Sequence, residues 1–274
     1  LSGNGRTDGP DDAFGFGKHP GQYGFAILSK HPFVPSRTRT FQNFLWNQMP
    51  GARLPEQPNS PGTPWYSDAA ISALRLSSKN HVDATVAVHG YEIHLLVSHP
   101  TPPVFDGPEN RNGLRNFDEI RFWADYLTPE KSVYCIDDTG QRGGLPTGAP
   151  FIIAGDLNAD PNDGDSVKGA IDQLLDHPRI HPDTARGAMV PRSDGGQENA
   201  RRDGDAGDPA QDTASWGLRV DYVLPSREFK VLKSGVFWPR ASETLSRLVS
   251  KEKEKSSSDH RLIWVDVSLA PVQP

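Results

Sequence analysis

The chain has 274 residues, including 26 glycines, 25 prolines and one cysteine, and its 29 basic and 35 acidic side chains give a net charge of −6. The negative charge argues against a general nucleic-acid-binding surface, because affinity for the phosphate backbone comes from clustered Lys and Arg. A single cysteine excludes a disulfide within this sequence and a cysteine zinc cluster, and no apolar run is long enough for a membrane span. Strand-like segments recur without a clear linker, so we expect a single domain over residues 1–274.

The first residues carry a calcium-loop pattern. Between Ser2 and Asp11, oxygen-bearing side chains and a glycine match alternate positions of a calcium-binding loop, although no glutamate stands at the twelfth position. A plain turn cluster is the alternative. The sequence opens without Met inside a polar segment, so we expect an N-terminal segment to be absent from it. The loop and the lone cysteine lead us to expect an extracellular or periplasmic protein.

Four regular elements precede the main motif. Residues 23–29 are apolar and predict a buried strand. Residues 82–89 and 91–98 predict two strands, and His89 with Gly90 between them predicts a hairpin turn. Apolar residues at helical spacing over 117–127 predict a helix that packs against a core.

A polar motif follows the next strand. Residues 151–155 predict a strand that leads directly into Asp156 and Asn158. Alternation along an extended chain would place these two side chains on the same side, where they could hold a hard cation, a water or a phosphate oxygen. The alternative is an ordinary turn in which both residues bond the local backbone.

Polar residues also mark the ends of other strands. His99 follows the strand 91–98, Asp221 lies in the strand that begins at Arg219, and Asp259 and His260 precede the final strand. In this order, with Asp156 and Asn158 between His99 and Asp221, the set resembles the endonuclease/exonuclease/phosphatase family, also called deoxyribonuclease I-like. The resemblance extends from about Tyr23 to Val267.

The resemblance implies a fold and a chemistry. The implied fold is an α+β, four-layered α/β/β/α sandwich of two mixed β-sheets. The implied activity is metal-dependent hydrolysis of a phosphodiester or phosphomonoester by an activated water. The cation would be Mg²⁺, with Mn²⁺ or Ca²⁺ able to replace it, since oxygen ligands favour hard cations. A glutamate and an asparagine that relatives carry upstream of residue 23 have no match in this sequence.

Roles for individual residues follow from the same resemblance. His260, oriented by Asp221, would activate the water or bind phosphate, and Asp259 would reach the metal. Asp156 and Asn158 would position the water and the phosphate. His99 would assist the leaving group or contact phosphate.

Two arginines follow His99 in a loop that we expect over the site. Arg111 and Arg115 could bind substrate phosphate, or they could pair with nearby carboxylates instead. The net acidity favours a small or locally charged phosphoester over extended nucleic acid. Nuclease, sugar-phosphate phosphatase and phospholipid phosphodiesterase activities stay open, and we expect a monomer.

Two other functions are alternatives to hydrolysis of a phosphoester. Ser258, Asp259 and His260 contain the residue types of a serine hydrolase triad, but adjacent strand residues point apart and no G-x-S-x-G turn is present. A catalytically inactive binding module that retains the family fold is the second alternative.

Overall fold

The computed structural model describes residues 6–199, 203–249 and 258–269. Within them are five α-helices and nine strands, besides several short 3₁₀ helices. The helices are α1 (Asp68–Ile71), α2 (Arg111–Tyr126), α3 (Asp172–Leu175), α4 (Pro182–Ala185) and α5 (Asp194–Gln197). The strands are β1 (Arg39–Thr40), β2 (Glu56–Gln57), β3 (Ser60–Pro64), β4 (His81–Val88), β5 (Tyr91–Ser98), β6 (Phe151–Asp156), β7 (Asp221–Pro225), β8 (Phe229–Phe237) and β9 (Leu262–Leu269).

The main sheet is mixed and has five strands in the order β1-β4-β5-β6-β7. Only the β5–β6 pair is parallel, and the long connection between these two strands contains α2. The predicted hairpin is confirmed: β4 and β5 pair in register, and His89 and Gly90 both have positive φ angles, of 50° and 88°. Such a turn matches the right-handed twist of the two strands.

Helix α2 lies against the main sheet and contributes several large side chains to the core. Ile120 and Trp123 are fully buried in one apolar cluster with Phe151 and Ile153 of β6. The predicted helix is confirmed, although it begins at Arg111, ahead of the predicted stripe. Two acidic residues of the helix, Asp118 and Glu119, are buried too, and hydrogen bonds from other segments satisfy their carboxylates. Asp118 accepts from the Trp46 indole and from Arg53 N, and Glu119 accepts from Ser78 N and Thr101 N.

A second sheet consists of the antiparallel pair β8 and β9 and has a small core of its own, formed by Val236, Trp238 and Val249. On the outside of this pair, Leu262 and Trp264 are exposed. The structure therefore shows separate sheets with few helices, as in an α+β fold. The four-layered arrangement stays a prediction.

One predicted strand is wrong. Residues 23–29 form no strand, and Leu28 near their end is 95% exposed. A strand needs a neighbour to pair its backbone groups, and these residues join no sheet in the described part of the chain. Apolar composition alone did not reveal the lack of a partner.

The predicted calcium loop lies partly outside the described residues, because Ser2, Asn4 and Gly5 are not among them. In its described part, residues 10–12 form a 3₁₀ turn in which Gly9 N donates to the Asp12 carboxylate at 3.1 Å.

None of the helices in the described ranges combines the length and the apolar character needed to cross a lipid bilayer.

Candidate functional site

The candidate site lies where β5, β6 and β7 come together at one edge of the main sheet. Asp156 ends β6 and pairs directly with Asp221, the first residue of β7. His99 follows the last residue of β5. His260 reaches the same place because the segment before β9 pairs with residues 213–215, with Ser215 N donating to Asp259 O at 2.8 Å.

Gly155 explains why the sheet is tight at this edge. Its φ angle is 152°, and a Cβ atom there would lie 2.1 Å from the carbonyl oxygen of Ser98 on β5. Only glycine allows so close an approach of two backbones. The close approach brings the end of β5, and with it His99, against the end of β6.

His260 and Asp221 form the best-defined pair of the site. The imidazole Nδ1 lies 2.9 Å from the Asp221 carboxylate, and Nε2 faces Asp156 at 3.8 Å. Burial alone would lower the pKa of His260, but the hydrogen bond and charge of Asp221, aided by Asp156 and Asp259, raise it to about 9. The partner of His260 is thus a carboxylate on another strand and not the adjacent Asp259, which argues against a Ser258-based triad.

Asp156 lies between two imidazoles. Burial raises the pKa of Asp156 to about 6, and the negative charge of Asp221 acts in the same direction. On the other side, His99 Nε2 lies 3.4 Å from the Asp156 carboxylate. This contact is not an ion pair, because burial and the charge of Lys79 lower the pKa of His99 to about 4.

The tautomer of His99 follows from its other contact. Its Nδ1 lies 3.0 Å from the carbonyl oxygen of Tyr23, which can only accept, so Nδ1 carries the proton. The bare Nε2 then faces a carboxylate oxygen, and two acceptors face each other. Such a contact is stabilised when a proton, a water or a cation lies between the two atoms.

Asn158 reaches Asp156 through a turn, which was the alternative to strand alternation in the sequence. Its φ angle of 52° is left-handed, so the chain leaves the extended conformation and strand alternation does not apply. The backbone N of Asn158 donates to Asp156 at 2.9 Å, and its side-chain amide donates to Asp156 at 3.3 Å and to Pro100 O at 3.2 Å. The two residues are together because of a turn, which holds the Asp156 carboxylate in place.

The residues present fit a divalent cation. One ligand atom each from Asp156, Asp221 and His260 lie within 4.8 Å of one another. Two carboxylates that face each other across paired strands repel, and a cation between them would remove the repulsion that helps to raise the Asp156 pKa. Asp259, the predicted metal ligand, is exposed and lies outside this group.

The two predicted substrate-binding arginines are held by the protein. Arg115 is 8% exposed and donates to the carbonyl oxygens of Leu76, Phe14 and Arg75 at 2.9, 2.7 and 2.7 Å. These contacts give Arg115 a structural role, and its donors point to backbone carbonyls and not to the site. Arg111 is half-buried and pairs with Glu109, which agrees with the alternative prediction that these arginines pair with nearby carboxylates.

Sequence reasoning missed Lys79, whose side chain is half-buried at this edge of the sheet. Its ammonium donates to Pro100 O at 3.2 Å, on the same oxygen that the Asn158 amide contacts. It lies in the polar stretch before β4, with no catalytic motif around it. Only the three-dimensional path of the chain brings it to the site.

Comparisons with known proteins bear on this arrangement. The family model described as Endonuclease/Exonuclease/phosphatase family matches residues 2–260. A search of curated proteins finds no match. Similar solved structures include an endonuclease/exonuclease/phosphatase from Beutenbergia cavernae, with 16% identity and a TM-score of 0.47 over 88% of this chain and 46% of that chain.

Two further structures are also matched over only part of their own length. The human Nocturnin catalytic domain has 15% identity and a TM-score of 0.40, over 89% of this chain and 62% of that one. A mannosyl-6-phosphatase from Bacteroides thetaiotaomicron has 14% identity and a TM-score of 0.36, over 70% of this chain and 59% of that one. The chain therefore spans less than two thirds of the length of each of these three proteins.

Proposed function

Since the chain belongs to the Endonuclease/Exonuclease/phosphatase family, we propose that it is a metal-dependent phosphoesterase that hydrolyses a phosphodiester or phosphomonoester with an activated water. The observation that carries the proposal is the His260–Asp221 pair beside Asp156, because it combines an oriented imidazole with carboxylates that suit a hard cation. The net charge of −6 supports a small or locally charged phosphoester over extended nucleic acid.

Asp156 and Asp221 are the residues that would hold the cation, because the ring of His260 is needed as a proton donor. A bound Mg²⁺, or Mn²⁺ in its place, would neutralise charge on the phosphate and favour ionisation of water. Both carboxylates offer oxygen ligands, which suit these hard cations.

His260 is proposed to act through its Nε2. Asp221 accepts the Nδ1 proton and fixes the ring, which leaves Nε2 directed at Asp156 and the space beside it. With a pKa of about 9, the ring carries a proton on Nε2 at neutral pH and can donate it to a phosphate oxygen.

Asp156 is proposed to accept a proton from the attacking water. Burial, the main cause of the raised pKa of Asp156, acts whether or not a cation is bound and makes this carboxylate a better base than an ordinary aspartate. Asn158 holds one face of this carboxylate through its backbone N and its amide, so the carboxylate keeps a fixed orientation.

His99 is proposed to hold the water as an acceptor. Its proton lies on Nδ1, against Tyr23 O, and the pKa of about 4 leaves no proton on Nε2 at neutral pH. Its Nε2 would therefore neither protonate a leaving group nor donate to a phosphate oxygen, so the proposed role differs from both roles that the family resemblance implied.

The first test is hydrolysis of bis-p-nitrophenyl phosphate and p-nitrophenyl phosphate with Mg²⁺, Mn²⁺, Ca²⁺ or EDTA. We expect metal-dependent turnover, and we expect Asp156→Ala and His260→Ala each to lower kcat/KM at least about a hundredfold, since removal of a general acid or base costs about that much. His31→Ala, at an exposed histidine by the β4–β5 turn, is the matched control and keeps the wild-type rate.

Thermal unfolding followed by circular dichroism would show that both variants still fold. Full activity of Asp156→Ala and His260→Ala would contradict the assignment of the site. Absence of turnover on both esters with all three cations would favour the binding module that retains the fold.

A further inference from the structure

We propose that Lys79 is the cation that contacts the substrate phosphoryl group, an inference that rests on the phosphoesterase function proposed above. Phosphate binding by a protein normally uses cationic donors besides a metal ion. The arginines near the site do not fill this role, because the Arg115 guanidinium donates to three backbone carbonyls and Arg111 pairs with Glu109. Lys79 was assigned no role by its sequence context.

The position of Lys79 is fixed by the backbone around the site. Its Nζ and the Asn158 amide nitrogen both lie 3.2 Å from the Pro100 carbonyl oxygen. Pro100 directly follows His99, and the same Asn158 amide contacts Asp156. The Lys79 ammonium and the Asn158 amide thus share one acceptor, and the same amide contacts the Asp156 carboxylate.

Electrostatic coupling agrees with this geometry. The charge of Lys79 helps to lower the pKa of His99 and also acts on Asp156. These are the two side chains that flank the proposed water position.

The ammonium has donors to spare. A lysine offers three N–H groups, and the hydrogen bond to Pro100 O uses one of them. Within the described residues, no carboxylate lies within ion-pair distance of Nζ. The negative charges of Glu119 and Asp156 act on Lys79, and both oxygens of Glu119 already accept hydrogen bonds, from Ser78 N and Thr101 N. A half-buried cation with free donors is stabilised by an anionic acceptor, and phosphate supplies both charge and oxygens.

A purely structural role is the competing explanation, since Lys79 could act only as a clamp on the loop at Pro100. The two roles differ in what they change. A clamp affects folding stability and Asp156 orientation, whereas a phosphate contact affects affinity for the phosphoryl group itself. Inorganic phosphate, a product of monoester hydrolysis and a simple anion, reports on that affinity directly.

The test compares Lys79→Met, which keeps the aliphatic stem, with Lys79→Arg, which keeps the charge. The matched control is Lys168→Met at an exposed lysine. Each variant is measured for kcat and KM on bis-p-nitrophenyl phosphate with Mn²⁺, for inhibition by inorganic phosphate, and for its Tm. We expect Lys79→Met to lose at least about tenfold in kcat/KM and to weaken inhibition by phosphate by a similar factor, since a hydrogen bond to a charged group contributes that much. Lys79→Arg should recover most of both.

Failure of this inference is distinguishable from failure of the proposed function. If the wild type hydrolyses the ester and Lys79→Met keeps its phosphate inhibition, only the role of Lys79 is overturned, and a lowered Tm would then identify a clamp. If the wild type hydrolyses nothing, calorimetric titration with inorganic phosphate still decides. Binding that Lys79→Met abolishes and Lys168→Met retains supports the inference, and absence of binding by the wild type overturns it.

Discussion

At the scale of single residues, Asn116 on α2 determines how the loops of the site are held together. This side chain is fully buried, and its amide donates to Thr101 O at 2.8 Å and to Leu157 O at 3.0 Å. These oxygens belong to the loops after β5 and after β6, which carry His99 and Asn158. Asn116 touches no reacting group, so it is a positioning residue.

We expect Asn116→Leu to lower the free energy of unfolding by about 1–3 kcal/mol, because it leaves two buried carbonyls unpaired. Loss of loop alignment should also lower kcat at least about tenfold with little change in KM, since positioning errors act on the reacting geometry. Urea denaturation and steady-state kinetics measure the two effects.

Gln173 offers a matched control for Asn116. Its amide also bridges two carbonyls, Phe117 O and Ala170 O, at 3.2 and 2.9 Å, away from the strand ends of the site. Gln173→Leu should lower stability with kcat unchanged. Equal kcat losses in both variants would show that destabilisation alone explains the effect of Asn116.

The residue scale also shows where sequence reasoning succeeds and where it ends. His99, Asp156, Asp221 and His260 could be named as a set because their residue types and order form a recognisable pattern, and the structure brings them together. The hydrogen-bond partners of Arg115 could not be predicted, since they are three backbone carbonyls that only the fold brings within reach.

At the scale of elements, the β4–β5 hairpin depends on the conformation of its turn. Gly90 has a φ angle of 88°, and a Cβ atom there would meet no heavy atom within 4 Å. We therefore expect Gly90→Ala to cost about 1–2 kcal/mol of unfolding free energy through backbone conformation alone. Urea unfolding measures this cost.

Gly17 provides the comparison for Gly90. Its φ angle lies outside the left-handed region, and its nearest neighbour to a new Cβ is 3.5 Å away, which is an ordinary contact. Gly17→Ala should leave stability unchanged or raise it slightly, because alanine restricts the unfolded chain. A stability loss in Gly17→Ala as large as in Gly90→Ala would contradict the conformational explanation.

The hairpin could be predicted because its signals are local: a two-residue turn between two runs of strand formers. Strand β6 and helix α2 were recognised for the same reason, from composition and spacing within one segment. Residues 23–29 have equally good local composition, yet they form no strand, since strand formation also requires a neighbour in space. The sequence pattern contains no information about that neighbour.

At the scale of the whole molecule, stability below neutral pH depends on buried or half-buried histidines that the fold holds in the neutral form. His177 Nδ1 accepts from Arg179 N at 3.2 Å, and its Nε2 lies 3.1 Å from the Thr128 hydroxyl, which itself donates to Ala124 O. These contacts fix the neutral tautomer with the proton on Nε2. Burial, with the charge of Arg179, lowers the pKa of His177 to about 4.

His81 is in a comparable position. It is 1% exposed, Nε2 donates to Glu119 O at 2.8 Å, and Nδ1 lies 3.0 Å from the Ser77 hydroxyl. Burial lowers the pKa of His81 below its usual value near 6.5. Both rings therefore bind a proton more readily in the unfolded chain than in the folded one.

The sign of the pH effect follows from this difference in proton binding. Below about pH 6.5 the unfolded chain takes up protons that the folded state refuses, so the free energy of unfolding falls as the pH falls. For His177 the loss continues until about pH 4, where the folded state is protonated as well. Above about pH 6.5 neither state binds the proton, and this contribution is constant.

We therefore expect His177→Gln to reduce the pH dependence of stability between pH 4 and pH 6.5, because glutamine takes up no proton in either state. Urea unfolding of the wild type and the variant at half-unit pH intervals measures the difference in stability between them. Values at pH 8 isolate the cost of the lost hydrogen bonds, which has no pH dependence of its own. A stability difference that stays constant from pH 8 to pH 4 would show that His177 is not a source of acid sensitivity. His81, whose deeper burial predicts an effect of the same sign, would then be the expected source.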